Sequence, residues 1–153
     1  VTEMITGIDL VKEQIKLAAT GKLTLKQSDI QFNGHAIEMR INAEDYLKNF
    51  APSPGKIEWY LPPGGMGVRV DSHLYPGYVV PPYYDSLLGK LIVWGQDRPD
   101  AIARALRALS EFVIVGVSTT LPFHSLVLQH PDFQSGNFDT SFVEKAFLSQ
   151  LNG

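Results

Sequence analysis

Alternation along Gly34 to Asp45 (G-H-A-I-E-M-R-I-N-A-E-D) puts Glu38, Arg40 and Asn42 on one face of an extended strand. His35, Ile37, Met39 and Ile41 fall on the other. A guanidinium on a sheet face beside a carboxylate offers a planar fork of donors to an anion or a developing oxyanion. The same spacing also describes a structural Glu–Arg pair on a solvated face. A second cluster, Val79 to Lys90 (V-V-P-P-Y-Y-D-S-L-L-G-K), stiffens its entry with Pro81 and Pro82 and then sets Tyr83, Tyr84 and Asp85 ahead of an apolar run that Lys90 closes. Such a loop can line a pocket; it can equally be an irregular wall against a sheet.

Other chemistries lack their residues. The tight cluster Gly64-Gly65-Met66-Gly67 lies between strand-like segments and opens no helix, so its glycines serve turn geometry rather than a phosphate cradle. His35, His73, His124 and His130 show no metal-ligand spacing, and no metal site is expected; a scattered histidine reads as structural. No Gly-x-Ser-x-Gly elbow supports acyl hydrolysis. With 0 cysteines there is no disulfide framework, thiol nucleophile or thiolate site, which fits a reducing compartment such as the cytoplasm, an organellar matrix or a stroma.

The 153 residues match one compact domain, and 44% hydrophobic with 19% charged residues is a globular composition. A formal net charge of −3 gives no footprint for nucleic acid or an anionic membrane. No apolar run approaches the ~20 residues that span a bilayer. The opening at Val1, with helix signals close behind, reads as a piece of a longer protein.

The positioning elements follow from periodicity. Ile8, Val11, Ile15 and Ala18 predict an amphipathic helix over 8–20, with Thr6 as N-cap and Gly21 as stop. Residues 22–33 read as a polar connection. After the strand from Gly34, a loop over 49–55 leads to strands over 56–61 and 67–71, joined at Pro62-Pro63-Gly64-Gly65 as an expected hairpin. Residues 75–86 are expected to be irregular and 87–94 a buried strand. Asp97 caps a helix with the stripe Ile102, Ala105, Leu106, Leu109 and Phe112. A strand over 113–117 and helical pieces over 120–129 and 140–151 complete an α+β domain, an antiparallel sheet flanked by helices.

These segments resemble the biotin carboxylase C-terminal domain. The likeness is carried by V-T-E-M-I-T-G-I-D-L-V-K-E-Q (1–14), G-H-A-I-E-M-R-I-N-A-E-D (34–45), P-S-P-G-K-I (52–57), P-P-G-G-M-G-V-R-V-D-S (62–72), V-P-P-Y-Y-D-S-L-L-G-K-L-I-V-W-G (80–95) and V-G-V-S-T-T (115–120). It runs in order through nearly the whole chain.

Enzymes of that family use MgATP and bicarbonate to carboxylate N1 of biotin held on a carrier protein. The resemblance implies that bicarbonate is activated as carboxyphosphate and that Arg40 contacts the biotin ureido oxygen and stabilises the enolate. It places Tyr84 and Asp85 near biotin, and the Gly136–Thr140 segment near the adenine. Thr140 stands where some relatives carry a larger aliphatic. It puts Met66, where some relatives have an aromatic, and Arg69 at a homodimer contact.

The resemblance further implies an upstream ATP-grasp part that carries the nucleotide and magnesium machinery, with residues 1–33 bridging to it. Partners would be that part, the biotin carboxyl carrier protein and a second copy. The piece alone would be inactive. The parent would be the biotin carboxylase subunit of acetyl-CoA carboxylase, in fatty acid biosynthesis, or a pyruvate, propionyl-CoA or related carboxylase. A non-catalytic dimerisation or carrier-docking module is the competing reading.

Overall fold

The computed structural model describes residues 1–148. In chain order the elements are α1 (Thr2–Thr6), α2 (Leu10–Thr20), β1 (His35–Asn42), β2 (Glu44–Asp45), β3 (Ala51–Pro52), β4 (Gly55–Lys56), β5 (Trp59–Leu61) and β6 (Val68–Ser72). They continue with β7 (Val79–Val80), β8 (Leu87–Gly95), α3 (Arg98–Glu111), β9 (Val113–Val115), α4 (Leu121–Gln129) and α5 (Pro131–Ser135). A π-type turn spans Glu144–Leu148.

The central sheet is antiparallel, in the order β1-β8-β6, with Arg40 opposite Lys90 and Asp71 opposite the same Lys90. Period-two alternation in β1 sends Ile37, Met39 and Ile41 into the core and leaves Glu38 and Arg40 outside. Helix α3 covers the inner face. Its N-cap is Asp97, whose carboxylate accepts from the Asp100 amide, and its buried side includes the small Ala101, Ala105 and Ala108. Small side chains bring the helix close to the sheet: a Cβ added at Gly95 would sit 2.3 Å from the Ala101 nitrogen. Ile102, Leu109 and Phe112 from α3 and its end, with Leu121 and Leu128 of α4, complete this core. A smaller cluster of Ala43, Ile57, Leu74, Val80 and Leu88 packs beneath the short strands.

The structure confirms the α+β class and corrects several local expectations. The first helix begins at Leu10 and is capped by Asp9, whose carboxylate accepts from the Lys12 amide; Thr6 instead ends the separate helix α1. Asp9 wins because its carboxylate reaches an orphan amide of the first turn, whereas Thr6 donates back to the Thr2 carbonyl. The Ile8–Val11–Ile15–Ala18 stripe is not buried by the described residues: Val11 is 61% and Ile15 64% exposed.

The expected hairpin over 56–71 does not form. Trp59–Leu61 pairs with Val113–Val115, Gly55–Lys56 with Val79–Val80, and Val68–Ser72 with β8. Pro62 and Pro63 have no amide to donate to a ladder. Beyond them Gly65 and Gly67 take φ of 101° and 74°, which swings the chain onto the central sheet. The Trp94 amide then donates to the Gly67 carbonyl at 2.7 Å, and Arg104 and Arg107 hold the Met66 and Gly64 carbonyls.

The strand expected over 113–117 stops at Val115, because Gly116 takes φ 113°. Helix α5 has no counterpart in the periodicity. The helical piece expected over 140–151 is a π-type turn at 144–148, and 149–151 lie outside the described residues.

Candidate functional site

Arg40 stands on the sheet face opposite α3. Its side chain is 51% exposed, and its carboxylate partner is Asp85, 3.7 Å from Nη2 to Oδ2. That separation makes an ion pair, beyond hydrogen-bond range. The other Asp85 oxygen accepts from the Leu87 amide at 2.9 Å, so the side chain closes its own turn at the end of the tyrosine loop. Asp85 therefore presents one oxygen toward Arg40 while the other is tied to backbone.

The Glu38–Arg40 pair read as an alternative from spacing is not what forms. Lys90 Nζ lies 3.8 Å from Glu38 Oε1, the diagonal partner that the β1–β8 register brings within reach. Asn42 leaves the outer row because the ladder shifts between Ile41 and Asn42; its side-chain amide donates to Glu44 Oε1 at 3.1 Å. Glu44 also accepts from the Ser86 hydroxyl, and the Ala43 amide donates to the Ser86 carbonyl at 2.7 Å. These bonds tie the Asp85 loop to the end of β1.

Tyr83 and Tyr84 are 87% and 83% exposed. Tyr84 and Asp85 line a cleft of about 210 Å³ together with Ala43, Pro52, Pro82 and Ser86. The structure thus brings Arg40, Asp85 and Tyr84 into one neighbourhood. Among the described residues Thr140 shares no hydrogen bond or ion pair with them; it is exposed, beside a separate cleft of about 530 Å³ lined by His130, Asn137, Phe138, Asp139 and Phe142.

Met66 is 82% exposed at the turn before β6. Arg69 binds within the chain, to Asp71 at 2.8 Å and Glu3 at 2.9 Å, and these bonds, Asp71 first, hold its guanidinium more firmly protonated than usual. Among the described residues no group of His, Asp or Glu converges to hold a metal ion.

Two residues escape the sequence reading: nothing in the pattern singles out Thr120, and His124 falls among the scattered, structural histidines. Thr120 Oγ1 donates to the Arg40 carbonyl at 3.0 Å, and His124 Nε2–H donates to the same carbonyl at 2.8 Å. Burial pushes the His124 imidazole below the usual histidine range, with the carbonyl bond opposing.

The comparisons agree along the chain. The family model for the biotin carboxylase C-terminal domain matches residues 38–145. Biotin carboxylase 1 of Bacillus subtilis is 62% identical over 144 residues, covering 94% of this chain and 32% of that protein. The biotin carboxylase of Nostoc sp. is 57% identical over 145 residues, covering 95% of this chain and 32% of that protein. Among solved structures, the biotin carboxylase domain dimer of Hydrogenobacter thermophilus 2-oxoglutarate carboxylase, in complex with MgADP, ADP and bicarbonate, superposes with a TM-score of 0.92. It is 50% identical, over 95% of this chain and 32% of that one. The chain therefore spans about a third of the length of the curated relatives it matches.

Proposed function

This chain belongs to the biotin carboxylase C-terminal domain family, and from that membership we propose that it presents Arg40 to carrier-bound biotin in an ATP- and bicarbonate-driven carboxylase. The observation that carries the reading is the presentation of Arg40. Its backbone is bonded into a sheet while its guanidinium stays half-exposed beside Asp85, with spare donors directed away from the core.

The chemistry asks for that arrangement. As N1 of biotin gives up its proton, negative charge collects on the ureido oxygen. A guanidinium, always charged and carried on a strand anchored at its backbone, stabilises that charge. Asp85 helps orient the fork, and Tyr84 supplies an aromatic wall for the bicyclic substrate. The exposed Tyr83–Tyr84 loop is the surface proposed to meet the carrier protein.

Magnesium and the nucleotide phosphates do not fit the described residues, which offer no convergent carboxylates or imidazoles for a metal. The reading assigns them to the longer protein's ATP-grasp part, with residues 1–33 as the bridge to it. Helix α2, which buries no residue here, supports that bridging role. Thr140, beside the aromatic-lined cleft, is assigned to the adenine side. Exposed Met66 and neighbouring Arg69 are assigned to a twofold contact, supported by the dimeric state of the similar solved domain.

Arg40→Ala in the complete enzyme tests the reading. We expect kcat for biotin carboxylation to fall on the order of 10²–10³-fold, with an unchanged thermal melt. An unchanged kcat removes Arg40 from the mechanism.

A further inference from the structure

Strand β1 is an edge of the central sheet, since β8 lies on one side of it and, among the described residues, no strand on the other. Edge strands leave alternate amides and carbonyls unpaired. At Arg40 and Asn42 these groups point away from β8, and the register shifts between Ile41 and Asn42, with Asn42 still opposite Leu87. The β8 ladder thus leaves the outward-facing groups of Arg40 and Asn42 without a strand partner.

The start of α4 supplies the other side. Thr120 is as buried as the core, at 4% exposure. Its hydroxyl accepts from the Asn42 amide at 3.0 Å and donates to the Arg40 carbonyl at 3.0 Å, while its own amide donates to the Asn42 carbonyl at 3.1 Å. This reproduces with one residue what a neighbouring strand would give. His124, one helical turn on, fills the second lone pair of the Arg40 carbonyl. Leu121, Phe123 and Leu128 root the helix in the interior.

We infer that Thr120 and His124 are positioning residues for Arg40, fixing the backbone from which its guanidinium reaches biotin. This rests on the reading of Arg40 above. A shift of about 1 Å in such a group costs on the order of 10²-fold in rate, and the side chain itself has only the loose pair with Asp85 to orient it.

The test uses the complete enzyme with free biotin at saturating MgATP and bicarbonate. Thr120→Val and His124→Leu are each expected to lower kcat about 10- to 100-fold, with KM for ATP unchanged. Thr120→Ser and His124→Gln, which keep a donor, should restore most of it. In an Arg40→Ala background, Thr120→Val and His124→Leu should cost nothing further, because all three act through one group.

An unchanged kcat in both single variants overturns the inference, as does a cost that persists in full without Arg40. Failure of both variants to fold, by circular dichroism, overturns it as well, since the pair would then serve the fold. If Arg40→Ala alone is silent, the functional reading fails and this inference goes with it. If Arg40→Ala is costly and the α4 variants are silent, only this inference fails.

Discussion

Asp85 divides its carboxylate between two tasks, with Oδ1 accepting from the Leu87 amide at 2.9 Å and Oδ2 standing 3.7 Å from Arg40 Nη2. Asparagine separates the two tasks, because its side-chain oxygen can still close the turn while the charge is gone. An exposed ion pair of this kind is worth about 0–1 kcal/mol. Asp85→Asn should therefore leave the melt within that range. In the complete enzyme it should lower kcat for biotin carboxylation by a few-fold to about tenfold, the size of losing about 1 kcal/mol of orientation. Steady-state kinetics beside a thermal melt reads both, and a large loss of stability would move Asp85 from the site to the scaffold.

Gly95 ends β8 where α3 crosses it. An added Cβ would stand 2.3 Å from the Ala101 nitrogen and 2.8 Å from its Cα, both backbone atoms of a helix that cannot swing aside as a side chain would. Gly95→Ala should destabilise by about 1–3 kcal/mol or more through overpacking. The urea midpoint should drop with little change in slope. Gly64→Ala, with open space around its Cβ, is the matched control and should change the midpoint far less.

The long elements were legible because local signals and burial agree in them. The alternation in β1, the Asp97 cap and the Ile102–Leu109 side of α3 all survive in the fold. Strand partners were not legible: Trp59–Leu61 finds its ladder at Val113–Val115, across a separation that no periodicity encodes. Alternation placed Arg40 on the outward face of β1 and left its role open; the resemblance to the biotin carboxylase C-terminal domain supplied the role. The side chains that hold its carbonyl were not legible, because a helix meeting a sheet edge is a tertiary event, and Thr120 looks like any helix-start threonine. The cation beside Glu38 is hidden for the same reason, since Lys90 enters only with the β8 register.

Helix α2 shows where an apolar pattern and burial part company. Val11 and Ile15 lie on the expected stripe, yet both are exposed among the described residues. In the isolated chain, Val11→Ser with Ile15→Ser should therefore shift the urea midpoint by no more than surface changes do, within about 0.5 kcal/mol each. The same pair in the complete enzyme should cost more, if the upstream part covers the stripe as proposed. Equal costs in the two settings would argue against the bridging role of residues 1–33.

Stability should fall in mildly acidic solution, and the histidines set the window. Burial is the first cause that lowers both His124 and His35, with the Arg98 charge second for His35. An unfolded histidine titrates near 6.5. Above that value both states are neutral at these positions and the full stability is present. Below it the unfolded chain binds protons that the folded imidazoles resist, so protons favour unfolding and stability drops as pH falls, levelling off once the folded groups titrate. Asp100, held low first by the Gln96 amide, and Asp139, held low first by the Ser141 hydroxyl, act in the same sense only under stronger acid, below the usual carboxylate range near 4. Urea midpoints at pH 7.5, 6.5 and 5.5, chosen to bracket about 6.5, should therefore decline across the last interval. His124→Gln and His35→Gln should each flatten that decline, because each removes a ring that burial holds below the usual histidine range. A His124→Gln profile parallel to that of the unsubstituted chain would show that the imidazole accepts its proton as freely folded as unfolded.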